Sequence, residues 1–229
     1  GFTLVIATGR HVSDIRSYLA QLGGGIATIT CNGANIHDAN GELIYREGLP
    51  LAVNEALVPL AAQFKVHTNM YTDSEWLVTE PCEELLEAHE ENHFVYRQID
   101  IPSMMATPAL KMLFYGENAE LRRLKARIEQ DYALALNLTF SDDYYLEVMQ
   151  NNISKGQALR VLLQHLSLPT KNAMAFGDGM NDVELFRTVA CPVLMENSSA
   201  ALKQLFPQAV RAQANHQDGV ARFIFDNIL

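Results

Sequence analysis

Apolar positions along the chain change period several times, and the changes fall at glycines and short polar clusters. Phe2–Ala7 is an apolar run rich in strand formers, closed by Thr8-Gly9, and predicts a buried strand. From His11 the period becomes helical. Val12, Ile15, Leu19 and Leu22 share one face, and Gly23-Gly24-Gly25 ends the segment. Ile26–Thr30 predicts a second strand, closed by Asn32-Gly33, and Asn40-Gly41 joins two extended pieces as a hairpin. The alternation returns toward the C-terminus. Ser154 is the expected N-cap of a helix carrying Leu159, Leu162, Leu163 and Leu166. Asn172–Phe176 predicts a strand running into Gly177-Asp178-Gly179. Val183–Val189 is expected to be helical, Pro192–Met195 extended, Ser199–Leu205 helical, and Val220–Ile228 a last amphipathic helix. Alternation of this kind predicts an α/β protein whose core is a Rossmann-like, doubly wound parallel sheet.

The middle of the chain has a different pattern. Strands are expected at Val66–Tyr71, Trp76–Thr79, Phe94–Gln98, Leu110–Tyr115, Leu134–Phe140 and Tyr144–Val148. Helices are expected at Val53–Phe64, Pro81–Asn92 and Ala119–Gln130, the last burying Leu121, Leu124 and Ile128. This is an α+β module with antiparallel character set into an α/β one. The expected organisation is residues 1–48 as the first part of the core, 49–147 as the insert, and 148–229 as the second part of the core.

Composition narrows the function classes. Hydrophobic residues make up 48% and charged residues 19% of 229, an ordinary globular mix. The apolar runs are too short to span a bilayer, so no membrane partner is expected. A net charge of -10 without a Lys/Arg run argues against nucleic acid as a partner. Cys31, Cys82 and Cys191 form no CxxC pair, which suits reduced thiols and a cytoplasmic protein. An acidic chain that handles phosphate needs local compensation from a metal, a few cations or backbone N–H groups.

Three segments meet that need, and each lies at the end of a predicted strand or the start of a predicted helix. Ala7-Thr8-Gly9-Arg10-His11 offers a hydroxyl and free N–H groups to an anion, or Thr8 is a plain helix cap. Asn152-Ile153-Ser154-Lys155-Gly156 puts a lysine in a first helical turn, against the helix dipole; a bound anion accounts for it, and so does simple exposure. Gly177-Asp178-Gly179-Met180-Asn181-Asp182 packs two carboxylates and an amide into a tight turn. That suits an oxygen-seeking divalent ion such as Mg²⁺, the alternative being an ordinary acidic turn. In an open α/β sheet such ends form one crevice, so the three segments are expected to converge on an anion and a metal.

These segments resemble the second, third and fourth motifs of haloacid-dehalogenase-like phosphatases. Thr8-Gly9-Arg10 and Gly177-Asp178-Gly179-Met180-Asn181-Asp182 are similar to the Cof-type subgroup in particular. The insert resembles that subgroup's large α+β (type IIB) cap, and Cys31-Asn32-Gly33-Ala34 occupies the place of a recurring Ser-Asn-Gly-Ala-like segment. The resemblance implies Thr8, Gly9, Arg10, Asn32, Lys155 and Asn181 as substrate-binding residues. It implies Lys155 and Asp182 as catalytic residues, Asp178 as the Mg²⁺ ligand, and a small phosphorylated metabolite as substrate.

The resemblance also implies an Asp-x-Asp motif supplying a nucleophile that forms an aspartyl-phosphate, with its strand between those leading to Thr8 and Asp178. No Asp-x-Asp occurs in the sequence. Without that strand, two rows of backbone groups lack partners at ~1–3 kcal/mol for each buried orphan, against ~5–15 kcal/mol for a whole domain. A preceding N-terminal segment is therefore expected. A non-catalytic phosphometabolite binder and a phosphomutase remain as alternatives. Cap hinges are expected near Gly48-Leu49-Pro50 and Glu147–Asn151, with Asn69, Tyr71, Asp73, Trp76 and His11 as further candidate substrate contacts.

Overall fold

A computed structural model describes residues 2–87, 89, 92–132 and 135–229. The chain divides into two compact units, Gly1–Ile153 and Ser154–Leu229.

The first unit contains two sheets among its described residues. In one, β1 (Val5–Ala7) pairs in parallel with β2 (Ala27–Thr30), and β2 continues antiparallel to β3 (Asn35–His37) and β4 (Leu43–Arg46), in the order β1-β2-β3-β4. The expected hairpin joins β3 to β4. Asp38 Oδ1 accepts from the N–H groups of Asn40 and Glu42, both at 2.8 Å, and Gly41 takes φ 82 in the turn. Strand β1 is shorter and less buried than its apolar run suggests. Phe2 and Leu4, ahead of β1, are exposed. The expected helix after His11 is a 3-10 turn at Val12–Ile15 followed by α1 (Arg16–Gln21). Of its four apolar positions only Ile15 is buried.

The second sheet consists of β5 (Val66–Tyr71), β6 (Trp76–Val78), β7 (Tyr96–Gln98), β8 (Lys111–Gly116), β9 (Leu136–Asp142) and β10 (Tyr145–Gln150), in the order β7-β6-β5-β8-β10-β9. All its pairings are antiparallel except β6 with β7. Helices α2 (Leu51–Ala61) and α5 (Asn118–Tyr132) give Leu57, Leu121, Leu124 and Ile128 to a core with Met70, Phe114 and Leu146. The period-3.6 spacing of the α5 residues is what makes that contact. Tyr71, Trp76, Val78, Leu85 and Phe94 form a separate cluster. The helix expected over Pro81–Asn92 is observed as α3 at Glu83–Glu87; positions 88, 90 and 91, and the expected strand start at 134, lie outside the described residues. Helix α4 (Ile101–Met105) was not expected, although Asp100 caps it through Ser103 N at 2.7 Å.

The second unit is α/β with a parallel sheet ordered β11 (Met174–Gly177), β12 (Cys191–Met195), β13 (Val210–Ala212). Helices α6 (Lys155–His165), α7 (Val183–Thr188), α8 (Ala200–Leu205) and α9 (Gly219–Asn227) accompany it. Ser154 caps α6 as expected, its hydroxyl accepting from Gln157 N at 3.1 Å. Gly156 sits where α6 meets α7: a β-carbon there would run into the Glu184 carbonyl. Strand β13 is short and largely exposed, and its Val-Arg-Ala gave no apolar run to read.

Candidate active site

In the first unit, the end of β1 is stitched to the end of β2. Thr8 N–H donates to Ile29 O at 2.8 Å, Asn32 N–H to Thr8 O at 3.0 Å, and Cys31 N–H to Arg10 O at 2.9 Å. Arg10 N–H donates to Thr8 Oγ1 at 3.1 Å, so the hydroxyl folds over its own loop. The cap of the following 3-10 turn is His11: its Nδ1 accepts from Ser13 N–H at 3.1 Å. His11 Nε2 lies 3.1 Å from Thr72 O and 3.2 Å from Asp73 O, and the ring stacks on Phe94 at 4.8 Å. Two carbonyls at Nε2 and an N–H at Nδ1 define a neutral, Nε2-protonated ring. Burial lowers its pKa, with smaller contributions of the same sign from Lys111 and Arg16. Arg10 is exposed, and its guanidinium reaches the fully buried carboxylate of Asp14 at 3.1 Å.

Asn32 is buried and sits in the left-handed region at φ 57, directly after Cys31 at φ 48. Its Nδ2 donates to Glu147 Oε2 at 2.8 Å. Its amide packs beneath Gly9, where a β-carbon would lie 3.0 Å from Asn32 Oδ1. The same Glu147 oxygen accepts from Lys111 Nζ at 3.0 Å. Neither Lys111 nor Glu147 was singled out as a site residue from the sequence. The visible signal is one charge inside each of two apolar runs, Leu110–Phe114 and Leu146–Met149.

In the second unit, α6 and the turn after β11 form a compact polar constellation. Lys155 Nζ donates to Asp182 Oδ1 at 2.7 Å. Asp182 Oδ2 accepts from the N–H groups of Asp178 and Gly179, each at 3.0 Å. Lys155 and Asp182 are both buried, so the exposed-lysine alternative does not hold. The turn needs glycine at Gly177, where a β-carbon would sit 2.6–2.9 Å from Oδ2, Cγ and Cβ of the buried Asp182 side chain. Asp178 is exposed and accepts from Asn197 Nδ2 at 2.7 Å. Asn197 and Ser198 were missed in the sequence; Ser198 Oγ donates to Gly177 O at 3.2 Å.

The donor set suits a hard cation of limited demand. Asp182 has both oxygens committed, whereas Asp178 presents an exposed carboxylate. Mg²⁺ keeps several waters and takes one or two carboxylates, which Asp178 fits. Among the described residues no group of three His, Cys, Asp or Glu side chains forms a protein cage for a metal.

Several of the further candidate contacts are engaged within the first unit. Asn69 is fully buried, accepting from Trp76 Nε1 at 2.9 Å, and Tyr71 and Trp76 are buried beside it. Asp73 is held by Arg46 Nε at 2.7 Å.

Residues 1–224 match the family model for haloacid dehalogenase-like hydrolases, and the chain belongs to that family, within its phosphatase branch. It is 34% identical over 205 residues to an HMP-PP phosphatase of Escherichia fergusonii, covering 90% of this chain and 75% of that protein. An HMP-PP phosphatase of Escherichia coli is 33% identical, with 90% and 80% covered. A haloacid dehalogenase-like hydrolase from Bacteroides thetaiotaomicron shares the fold at TM-score 0.88 and 24% identity, over 99% of this chain and 86% of that one. A subclass IIB sugar phosphatase shares it at TM-score 0.85 and 20% identity, with 99% and 85% covered.

Proposed function

We propose that the chain belongs to a magnesium-dependent phosphatase that hydrolyses a small phosphorylated metabolite through an aspartyl-phosphate, with residues 49–147 as a substrate-selecting cap between core segments 1–48 and 148–229. The observation that carries this reading is the buried Lys155–Asp182 pair at 2.7 Å, braced by the Asp178 and Gly179 N–H groups. An ammonium held this firmly, on the first turn of a helix, is set to meet phosphoryl oxygens rather than solvent.

The proposed roles follow from what each group offers. Thr8 and the Gly9 backbone bind the phosphoryl group, and Arg10 adds a cation at the rim. Lys155 neutralises phosphoryl oxygens; opposite unit charges 4 Å apart attract by about 4 kcal/mol at an effective dielectric of ~20. Asn181 donates to phosphate. Asp182 orients Lys155 and the Asp178 turn, and Asp178 holds Mg²⁺. When bound, that ion supplies charge neutralisation at the phosphate ester. Asn32 serves the loop from beneath Gly9. The nucleophile is the aspartate of an Asp-x-Asp motif, which the 229 residues do not contain.

Support for the substrate class comes from the relatives: one pair is named for HMP-PP and a fold neighbour for sugar phosphates, all small and phosphorylated. The described residues contain no helix long and apolar enough to cross a membrane, and the three cysteines are free thiols.

The test is phosphate release by the full-length enzyme from p-nitrophenyl phosphate, HMP-PP and a panel of sugar phosphates, with and without Mg²⁺. Asp178→Asn and Lys155→Ala are expected to lower turnover by about 100-fold or more. Asp178 is exposed, so Asp178→Asn is expected to leave the fold intact. Wild-type-like turnover in a folded Asp178→Asn enzyme would overturn the reading.

A further inference from the structure

Lys111 and Glu147 form a buried ion pair that lies outside all three motif segments. They come from neighbouring antiparallel strands β8 and β10. Their side chains are 5% and 8% exposed. Lys111 Nζ sits 3.0 Å from Glu147 Oε2, 3.0 Å from Gly9 O, and 4.9 Å from the centre of the Tyr71 ring. Glu147 Oε2 also takes the Asn32 amide at 2.8 Å.

A buried pair is a weak source of stability, because desolvation offsets most of the Coulomb attraction and an apolar pair of the same size often does as well. What this pair delivers is direction. The Gly9–Arg10 peptide is trans, so its C=O and N–H point opposite ways. Lys111 takes the C=O, and the N–H then points to Thr8 Oγ1 at 3.1 Å. With one lone pair taken by the Arg10 N–H, the Thr8 hydroxyl is oriented and keeps its own proton to give to a phosphoryl oxygen. Glu147 acts through Asn32 as well: it fixes the Asn32 amide, which fills the space where a Gly9 side chain would be.

We propose that Lys111 and Glu147 are positioning residues for the Thr8-Gly9-Arg10 loop: Lys111 sets the Gly9–Arg10 peptide and thereby the Thr8 hydroxyl, and Glu147 sets Lys111 and Asn32. The proposal rests on the phosphatase reading above, in which that loop binds the phosphoryl group.

The experiment compares full-length wild type, Lys111→Met, Glu147→Gln and, as a control, Arg97→Gln, which breaks an exposed pair with Glu75. It reads kcat and KM for p-nitrophenyl phosphate, the inhibition constant of inorganic phosphate, and the melting temperature. Lys111→Met is expected to weaken phosphate inhibition about tenfold and to lower kcat/KM about thirtyfold. Glu147→Gln keeps the shape and one acceptor oxygen, and is expected to weaken phosphate inhibition about threefold. A merely structural pair lowers the melting temperature and leaves phosphate inhibition where it was. Phosphate inhibition and kcat/KM within about twofold of wild type in folded Lys111→Met overturn the proposal. If that variant does not fold, Glu147→Gln decides, and unchanged phosphate inhibition there overturns it equally. A wild-type enzyme that neither releases nor binds phosphate overturns the phosphatase reading instead.

Discussion

Lys155 Nζ and Asp182 Oδ1 are 2.7 Å apart, with the two side chains 7% and 6% exposed. Removing either partner leaves an uncompensated buried charge, and removing Asp182 also frees the Asp178 and Gly179 N–H groups. Asp182→Ala is therefore expected to destabilise the protein by about 3–5 kcal/mol. Urea unfolding followed by circular dichroism measures it. A loss near zero would mean that the pair does not exist in solution as described.

Gly156 is needed for a different reason than Gly177. It lets α6 lie against the Glu184 carbonyl and Thr188, whose hydroxyl donates to that same carbonyl at 2.8 Å. Gly156→Ala pushes α6 off α7 at a cost of about 1–3 kcal/mol. Because Lys155 is the neighbouring residue, turnover falls with it. Unfolding midpoints and turnover measured on the same sample test the coupling.

His11 gives the fold a pH dependence with a definite sign. Burial holds its folded pKa below the ordinary value of 6.5, so the unfolded chain takes the proton first as pH falls. Its contribution is full above pH 6.5 and is lost as pH drops below that value toward the folded pKa. Protonation at Nδ1 also removes the acceptor for Ser13 N–H. Wild type is expected to lose more stability between pH 7.5 and 5.5 than His11→Gln; His37, also lowered by burial, contributes equally to both. Equal losses in a pair of urea titrations would contradict the assignment.

Cys31 is completely buried and its thiol is pushed up to about 12, chiefly by burial. The thiolate is the reactive form. Iodoacetamide at pH 8 is expected to reach the half-buried Cys191 and, more slowly because partial burial and its bond to Glu84 raise the thiol, Cys82, and to reach Cys31 only after denaturation, as peptide mass mapping will report.

The motif segments were legible because each sits at a strand end or helix start marked by glycine, serine or aspartate, whose backbone roles are local. Ser154 as a cap and Gly177-Asp178-Gly179 as a turn follow from such chemistry alone. Leu121, Leu124 and Ile128 were legible from spacing. The Lys111–Glu147–Asn32 cluster was not, because its members lie 36 and 115 positions from Glu147. A strand pattern shows that a charge is out of place but not what meets it. Likewise Asn69, Tyr71 and Trp76 look like ligand contacts by residue type, and only the packing of β5 on β6 reveals that they bond and stack with one another. Helix α4 is one turn long, too short for a period, although Asp100 and Pro102 mark its start.

The largest interior of the first unit is separate from its neighbours. Met70, Phe114 and Leu146 belong to a cluster that shares no residue with Cys31, Ala34, Leu110, Met149 and Ile153, or with Val193, Met195 and Ala212 in the second unit. Substitutions in separate interiors combine additively. Substitutions around Met70 and Phe114 can therefore accumulate without disturbing the packing around Val193 and Met195, whereas Lys111 and Glu147, bonded to Gly9 and Asn32, keep their own stretch of β8 and β10 answerable to the Thr8-Gly9-Arg10 loop.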